Sequence, residues 1–256
     1  MSGENVTLDA ENKKDAAVDQ MKHDLGAGIR LQSGQAVGRQ IQIPNSYIAL
    51  DLETTGLNPK QDKIIEIGAV RVEAGQETGR FHTMLDPHRE LETRITELTG
   101  ITGDMLENAP DLVDILPGFL DFCGELPLLG HRIIFDYSFL KRAAVNQGLT
   151  FEKNGIDTLT MCRRFMPAEE SKRLGAACAF YGLTQESAHR ALGDALDAHR
   201  LYQKLVEKHA GQAPEAFAAE PLIYKVKREQ PASKKQKEDL RYLLKYHKID
   251  LPVQID

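Results

Sequence analysis

The sequence predicts an α/β fold. Three apolar segments with strand character come first, and segments in which strands and helices alternate follow them. The chain has 256 residues, of which 41% are hydrophobic and 27% charged, enough for one domain of good size with appendages. We therefore expect a sheet that begins as an antiparallel meander and continues with strands separated by helices.

The three strands of the meander are predicted at 47–52, 63–72 and 79–85. The first is an apolar run that leads directly into an acidic residue. The second and third are separated by 73–77, a polar segment with a glycine that is typical of a hairpin. Consecutive strands joined in this way pair antiparallel.

Helical periodicity dominates the rest of the chain and is interrupted by short strand-like runs. The predicted elements are, in order, a helical segment at 95–98, a helix from Asp111 that Pro117 bends or restarts, a strand at 127–130, a helix from Phe135 to Asn146 that Gly148 terminates, a strand at 156–159, and helices at 174–181 and 192–205.

The composition changes at both ends of the chain. Residues 1–45 are polar without a sustained apolar period, so we expect a flexible tail before a folded domain at 46–208. Residues 209–232 are predicted to be a linker, and 233–256 a small basic helical appendage with Ser233 as its N-cap. The sequence stops shortly after this helix, and an incomplete module is one interpretation.

Cysteine usage and hydropathy indicate the cellular environment. Cys123, Cys162 and Cys178 are odd in number and lack CxxC spacing, which argues against a disulfide framework and against a thiolate zinc site. We interpret them as reduced packing residues and expect a cytoplasmic location. No apolar stretch reaches the roughly 18 residues of a membrane span, and the polar N-terminal residues do not resemble a secretion signal. We therefore expect no membrane association.

The charge is unevenly distributed. The net charge is −6, but residues 225–248 contain nine Lys and Arg against three Asp and Glu, a net charge of +6. The central residues 46–224 carry −9. An acidic body with a basic C-terminal arm suits an enzyme whose carboxylates need divalent cations and whose arm contacts a phosphate backbone. A solvated charge asymmetry without function is the alternative.

Four carboxylates and one histidine are the candidate functional residues. Asp51 and Glu53 are two residues apart on the first strand, so their side chains leave on the same face. Asp136 lies where a helix is predicted to begin. Asp194 lies inside a later, Ala-rich helix, which His189 precedes by about one turn. Acids in apolar surroundings need a partner or a metal ion. These residues therefore predict a shared cation site, in which the histidine takes a proton from water.

Each of these residues also has an ordinary interpretation. An isolated Asp-x-Glu pair is most often a surface pair, and Asp136 at a helix start would be stabilised by the helix dipole. A histidine in the position of His189 is more often structural. Asp194 lies between apolar residues of an Ala-rich helix and so requires a partner, whereas Asp197 is predicted to be an ordinary surface acid.

Taken jointly, three segments resemble the three exonuclease motifs of the DnaQ-like DEDD exonucleases in order and spacing. The segments are 51–56, 130–140 and 188–195, and the similarity extends over 46–207. His189 places the resemblance in the histidine-containing branch, which includes the epsilon proofreading subunit of bacterial DNA polymerase III.

The resemblance implies an RNase H-like five-stranded mixed sheet flanked by helices. It also implies two divalent ions, Mg²⁺ or Mn²⁺, and a histidine as general base. The residues that would hold the ions are Asp51, Glu53, Asp136 and Asp194, and the base would be His189. The residues implied to contact the 3′-terminal nucleotide are Thr54, Thr55, Gly56, Leu57 and Phe135.

One position departs from the family pattern. Members commonly carry Asn four residues before the acid of the second motif, and here that position is Arg132. The arginine either reaches a phosphate or is merely tolerated. This departure concerns substrate preference and not the metal site.

The function expected from these residues is metal-dependent hydrolysis of the 3′-terminal phosphodiester of single-stranded or frayed DNA, releasing nucleoside 5′-monophosphates in proofreading or repair. RNA trimming by an oligoribonuclease-like enzyme is one alternative. A second is a catalytically silent module that holds nucleic-acid ends for a DNA polymerase or another protein partner, against which the intact set of five residues argues. A third is an interaction protein that works through its basic arm.

Overall fold

The computed structural model describes residues 42–185, 189–230 and 232–249. Within these residues, six strands form a single mixed sheet, which confirms the α/β prediction. The strands are β1 (Tyr47–Thr54), β2 (Ile64–Glu73), β3 (Gln76–Met84), β4 (Leu128–Gly130), β5 (Asn154–Asp157) and β6 (Glu220–Pro221).

The sheet combines a meander with parallel strands. Its spatial order is β3-β2-β1-β4-β5-β6. The first three strands pair antiparallel, β4 joins β1 in parallel, β5 joins β4 in parallel, and β6 closes the edge antiparallel to β5. The first strand is therefore central, with a neighbour on each side.

Helices cover both faces of the sheet. They are α1 (Thr93–Thr99), α2 (Gly103–Leu106), α3 (Leu112–Cys123), α4 (Ile133–Asn146), α5 (Thr158–Phe165), α6 (Leu174–Phe180), α7 (Ala191–His209), a 3-10 helix (Pro214–Phe217) and α8 (Lys234–His247). Pro117 lies inside α3, which continues without a restart. Because Pro117 is exposed, water can bond the carbonyl group that loses its donor there.

The two faces of β1 belong to two different cores. Tyr47 and Ala49 pack in the core that α5, α6 and α7 cover, whereas Ile48 and Leu50 pack in the core beneath α3 and α4. Since side chains alternate along a strand, Asp51 continues the row of Tyr47 and Ala49. It therefore emerges on the α7 face of the sheet.

The sheet has six strands, one more than predicted. The additional strand, β6, comes from 209–232, the segment predicted to be a linker. It covers the edge of β5, where unpaired backbone groups would otherwise remain, and Leu222 packs over Gly155. In the same segment Phe217 is fully buried. The domain boundaries themselves stay predictions, and residues 1–41 and 250–256 lie outside the described residues.

The three cysteines are buried and free, as predicted. Burial raises the pKa of the Cys123, Cys162 and Cys178 thiols to about 12, which disfavours the reactive thiolate. Among the described residues, no helix combines the length and the hydropathy that crossing a bilayer requires.

A glycine allows α7 to lie directly against the sheet. Gly68 pairs with Asp51 across β1 and β2. A β-carbon at Gly68 would overlap the backbone of Ala191 and Leu192 at the start of α7. A larger residue at this position would therefore push away the helix that carries Asp194.

The first prediction concerns this close approach. Gly68→Ala should lower the free energy of unfolding by about 1–3 kcal/mol, because the added methyl group displaces the start of α7. Gly79→Ala is the matched control, since its methyl group would meet Phe122 at 3.5 Å, an ordinary contact. Urea unfolding measures both variants, and equal losses of stability would contradict the role assigned to Gly68.

Candidate active site

The turn after β1 is held by its own polar side chains. The Thr54 hydroxyl donates to the Gly56 carbonyl at 2.6 Å, and the Lys63 backbone N–H donates to the Thr55 hydroxyl at 3.0 Å. Arg89 also donates to Thr55 and pairs with Asp62 at 2.9 Å. Both threonine side chains are buried, and their hydrogen bonds hold the backbone of the turn in one conformation.

The residues predicted to contact the nucleotide surround the end of β1. Gly56 is buried above the Asp62 carboxylate, Leu57 is half-buried, and Phe135 is half-buried in ring contact with Phe139. Their role in substrate binding stays a prediction. Because the threonine hydroxyls are buried and already bonded, the geometry favours backbone groups of this turn and the Phe135 ring of α4 as contacts.

Asp136 lies against the backbone of β1. It is in the first turn of α4 and is 3% exposed, and its carboxylate accepts the Leu52 N–H at 3.1 Å. Leu52 separates Asp51 from Glu53 in the strand. The hydrogen bond therefore fixes the Asp136 carboxylate beside the strand segment that carries the other two acids, in addition to any effect of the helix dipole.

The structure brings three of the predicted acids together. Asp51, Glu53 and Asp194 each present an oxygen within 4.8 Å of the other two. Two like charges at that separation repel by roughly 3 kcal/mol near a protein surface. A divalent cation removes this repulsion, and a donor set made only of carboxylate oxygens suits a hard cation such as Mg²⁺ or Mn²⁺. The chemistry of the cluster thus fits three of the four predicted metal ligands, whereas Asp136 is not in this group and bonds the strand backbone at Leu52.

His189 is at the margin of this cluster. Its side chain is exposed, and its backbone N–H donates to the Asp194 carboxylate at 3.2 Å. The backbone φ of His189 is 63°, in the left-handed region that few residues other than glycine adopt. The structure therefore places the His189 backbone next to Asp194 and leaves the side chain exposed, and the role of the imidazole as base stays a prediction.

Asp197 is not the surface acid that the sequence analysis predicted. It is 3% exposed, accepts a hydrogen bond from Gln185 at 3.0 Å and pairs with Arg200 at 3.5 Å. The prediction failed because Cys178 of α6 and Gln185 lie against the side of α7 on which Asp197 is located. Asp197 thereby fastens residue 185 to α7.

Glu66 is an acid that the sequence analysis did not single out. It lies on β2 opposite Glu53, and its side chain is fully buried. Arg190 donates to it with Nη2 at 2.9 Å, the Ala191 backbone N–H donates at 3.1 Å, and His82 Nε2 lies 2.6 Å away. Burial alone raises the pKa of Glu66, but these hydrogen bonds outweigh it and leave the pKa below its usual range. The signal in the sequence was an acid in the middle of an apolar strand.

Arg132 occupies a left-handed backbone position at the start of α4. Its φ and ψ are 80° and 46°, and its N–H donates to the Asp157 carboxylate at 3.0 Å. Asp157 also caps the start of α5 through the Leu159 N–H at 2.9 Å. Asn tolerates the left-handed region better than Arg does. The Asn that the family commonly carries here is thereby explained by backbone conformation.

Comparison with known proteins adds to this geometry. The exonuclease family model RNase_T matches residues 48–202, a range that contains every acid of the cluster as well as Asp136 and His189. The chain belongs to the DnaQ-like exonuclease family. The similarity predicted from the three motifs is confirmed.

Related sequences include the PolC-type DNA polymerase III of Clostridium perfringens, which is 35% identical over 158 residues, and that of Bacillus subtilis, 38% identical over 168 residues. The alignments cover 62% and 64% of this chain but only 11% and 12% of the relatives. The chain therefore corresponds to a small part of each polymerase.

Solved exonucleases share the fold. Exonuclease X, in a complex with 5′ overhanging duplex DNA, matches with a TM-score of 0.53 and 23% identity over 68% of this chain and 96% of its own. Exonuclease I matches with a TM-score of 0.57 and 18% identity, over 68% of this chain and 42% of its own. A 3′-exonuclease that recognises a histone mRNA stem-loop matches with a TM-score of 0.54 and 18% identity, over 64% of this chain and 83% of its own. These matches confirm the RNase H-like fold.

The second prediction tests the conformation at Arg132. Arg132→Asn should raise the free energy of unfolding by up to about 1 kcal/mol, because Asn adopts the left-handed region with less strain. Thermal and urea unfolding of the metal-free protein measure the change. A loss of stability would show that contacts of the Arg132 side chain outweigh the backbone strain.

Proposed function

We propose that this chain is a metal-dependent 3′-5′ exonuclease that removes nucleoside 5′-monophosphates from single-stranded or frayed DNA ends. The observation that supports it best is the convergence of Asp51, Glu53 and Asp194, with oxygens within 4.8 Å of one another. These residues come from two distant parts of the chain. The chain also belongs to a family of exonucleases, which supports the proposal.

The chemistry assigned to the site is hydrolysis without a covalent enzyme intermediate. Water attacks the terminal phosphorus, the bond from phosphorus to the 3′ oxygen of the preceding nucleotide breaks, and that oxygen takes up a proton to become the new 3′ hydroxyl. His189 accepts the proton that the water loses. Two divalent ions, Mg²⁺ or Mn²⁺, would supply charge stabilisation at the phosphate when bound. Asp51, Glu53, Asp136 and Asp194 are the residues assigned to hold them.

The turn after β1 is assigned to the 3′-terminal nucleotide. Thr54 and Thr55 would act by shaping the turn, Gly56 and Leu57 by direct contact, and Phe135 by packing against the base or sugar. DNA is favoured as substrate because the PolC-type relatives are named DNA polymerases and exonuclease X was solved with DNA. The match to an exonuclease that recognises histone mRNA makes RNA the rival substrate.

The biological role proposed is proofreading or repair, with a DNA polymerase or another replication protein as partner. The similarity to polymerases of the PolC type supports it, although this chain covers only a small part of them. Buried, reduced cysteines support a cytoplasmic location.

A direct assay distinguishes these substrates. We expect matched 3′-labelled oligonucleotides to lose single nucleotides when DNA is single-stranded or ends in a mismatch, and to be stable when a chelator is present. Faster degradation of the matched RNA would favour RNA trimming. Binding without degradation in Mg²⁺ and in Mn²⁺ would favour a silent module that holds ends.

The basic arm is proposed to hold the nucleic-acid backbone outside the catalytic site. The helix α8 starts with a capping box at Ser233 and exposes two stacked rings, Tyr242 and Tyr246, whose centroids are 6.2 Å apart. They are 67% and 69% exposed. Positive charge beside exposed aromatic rings is typical of proteins that bind single strands by backbone attraction and base stacking. The acidic body gives little attraction of this kind.

The third prediction tests the metal ligands. Asp51→Ala and Asp194→Ala should each lower cleavage by more than about 100-fold in saturating Mg²⁺, because each removes a ligand of the cluster. In chelator, neither should lower the melting temperature, since removing one carboxylate relieves repulsion. Asp104→Ala, a change of an exposed acid on α2, is the control and should retain activity. Near-normal cleavage by either site variant would refute the assignment.

The fourth prediction tests the base. His189→Ala should lower kcat by about 10²–10⁴-fold near pH 7 and recover part of it at higher pH, where hydroxide replaces the assisted water. The pH dependence of kcat measures both effects, and an unchanged profile in the variant would exclude His189 as base.

The fifth prediction tests the arm. Replacing Lys234, Lys235 and Lys237 together by Gln should reduce the slope of log affinity against log salt by about 2 for a single-stranded oligonucleotide. Fluorescence anisotropy in chelator, where cleavage is blocked, gives this slope. Lys208→Gln, a change of an exposed lysine on α7, should leave it unaltered. An identical slope in the triple variant would assign the arm to a protein partner instead.

A further inference from the structure

We propose that Glu66 is a positioning residue that acts through Arg190 and the start of α7. It holds residues 189–194, the segment that carries His189, in place. This inference rests on the proposed function of His189. Glu66 pairs with Glu53 across β1 and β2, but its hydrogen bonds run to Arg190, Ala191 and His82. The effect on catalysis assigned to Glu66 therefore passes through the start of α7.

The contacts between Glu66 and the segment are specific. Arg190 approaches both carboxylate oxygens, with Nη2 at 2.9 Å from Oε1 and Nε at 3.3 Å from Oε2. The Ala191 N–H donates to Oε2 at 3.1 Å. A paired arginine fixes direction as well as distance. Because Arg190 directly follows His189 in the chain, this pairing fixes the position of the histidine backbone relative to β2.

The start of α7 is also the point where a helix lacks internal hydrogen-bond partners. The first N–H groups of a helix have no acceptor within the helix. In α7 the N-cap residue is Arg190, and its side chain accepts no hydrogen bond from these groups. Glu66 supplies the acceptor for Ala191 from the neighbouring strand. A negative charge at this end is also favoured by the helix dipole.

The segment needs an external constraint because its own backbone is strained. His189 has a φ of 63°, and a side chain with a β-carbon is disfavoured there. The hydrogen bond from the His189 N–H to Asp194 fixes the segment on one side at 3.2 Å. The pairing of Arg190 with Glu66 fixes it on the other. Together the two contacts hold His189 in the left-handed conformation, although most residues with a β-carbon prefer a negative φ.

Stability alone is a poor explanation of this pairing. A buried carboxylate loses its hydration, and pairs of buried charges often contribute no more stability than apolar residues of the same size. The Glu66 carboxylate is fully buried on a strand whose neighbours, Ile65 and Ile67, are apolar. A contribution to the placement of a reacting group explains why an acid is located there.

His82 provides an internal control. It lies on β3, which pairs with β2 on the edge opposite to β1, and its Nε2 is 2.6 Å from the same Glu66 oxygen that Arg190 Nη2 approaches. Its substitution removes a hydrogen bond to Glu66 but none to the His189 segment. A purely structural role of Glu66 would make the His82 and Arg190 variants equivalent, whereas a positioning role separates them.

The test compares Glu66→Gln, Arg190→Gln, the double variant and His82→Gln in the full chain. We expect the first three to lower kcat to the same extent, about 10–100-fold, with KM changed less than about threefold, because misplacing a catalytic group by about 1 Å can have an effect of this size. The double variant should be no worse than the single variants, since both remove one interaction. His82→Gln should stay within about threefold of wild type.

Hydrogen exchange of the metal-free protein gives a readout that does not depend on activity. In Glu66→Gln and Arg190→Gln, amides of 189–194 should exchange about tenfold faster or more, the size of one lost charge-assisted hydrogen bond. Amides of β1 should be unchanged, which would exclude general unfolding.

The outcomes separate this inference from the proposed function. Unaltered exchange at 189–194 in both variants, or equal effects of the Arg190 and His82 variants on kcat, would overturn the inference even in an active exonuclease. If the wild type does not cleave nucleic acid at all, the proposed function fails, and the exchange experiment still decides whether Glu66 holds the segment.

Discussion

The candidate site depends on how closely the start of α7 approaches the central strands. Asp51 and Glu53 leave β1 on the face that α7 covers, and Gly68 on β2 leaves no side chain between the strand and the helix backbone. That approach brings Asp194 within 4.8 Å of the two strand acids. The fold therefore uses buried apolar packing further along β1 to force three like charges together at the strand end, an arrangement that a cation stabilises.

The charge balance of the chain fits this arrangement. A body with a net charge of −9 concentrates negative charge where it attracts divalent cations, but it repels the phosphates of a nucleic acid. In the proposed function, the arm at 225–248, with its net charge of +6, supplies the missing attraction from outside the catalytic site. Chemistry and substrate capture are then assigned to separate parts of the chain, which explains why the net charge of −6 is compatible with a nuclease.

Much of the fold and of the site could be predicted from the sequence because the signals were local. The apolar run before Asp51 predicted a buried strand, and the period of that strand predicted that Asp51 and Glu53 share a face. Asp136 and Asp194 were found through helix starts and through the resemblance to an exonuclease family. The position of the turn after β1 followed from its threonines and glycine.

The features that the sequence did not reveal depend on packing between distant segments. The burial of Asp197 depends on which side of α7 is covered. The strand β6 is two residues long and is defined by its pairing with the edge of β5. Glu66 could be noticed as an acid within an apolar strand, but its partners Arg190 and Ala191 are more than 120 residues away. From the sequence, Gly68 is a residue that weakens a strand. Its role in the close approach of α7 is evident only from the position of that helix.

The measurement that tests the central claim most directly is a calorimetric titration of Mn²⁺ into the metal-free protein, with Asp194→Asn as comparison. The account predicts saturable binding of two ions per chain, with affinity reduced at least about tenfold in the variant because one of the converging oxygen ligands has lost its charge. Absence of saturable binding to the wild type, or equal affinity in the two proteins, would contradict the claim that these acids form a cation site.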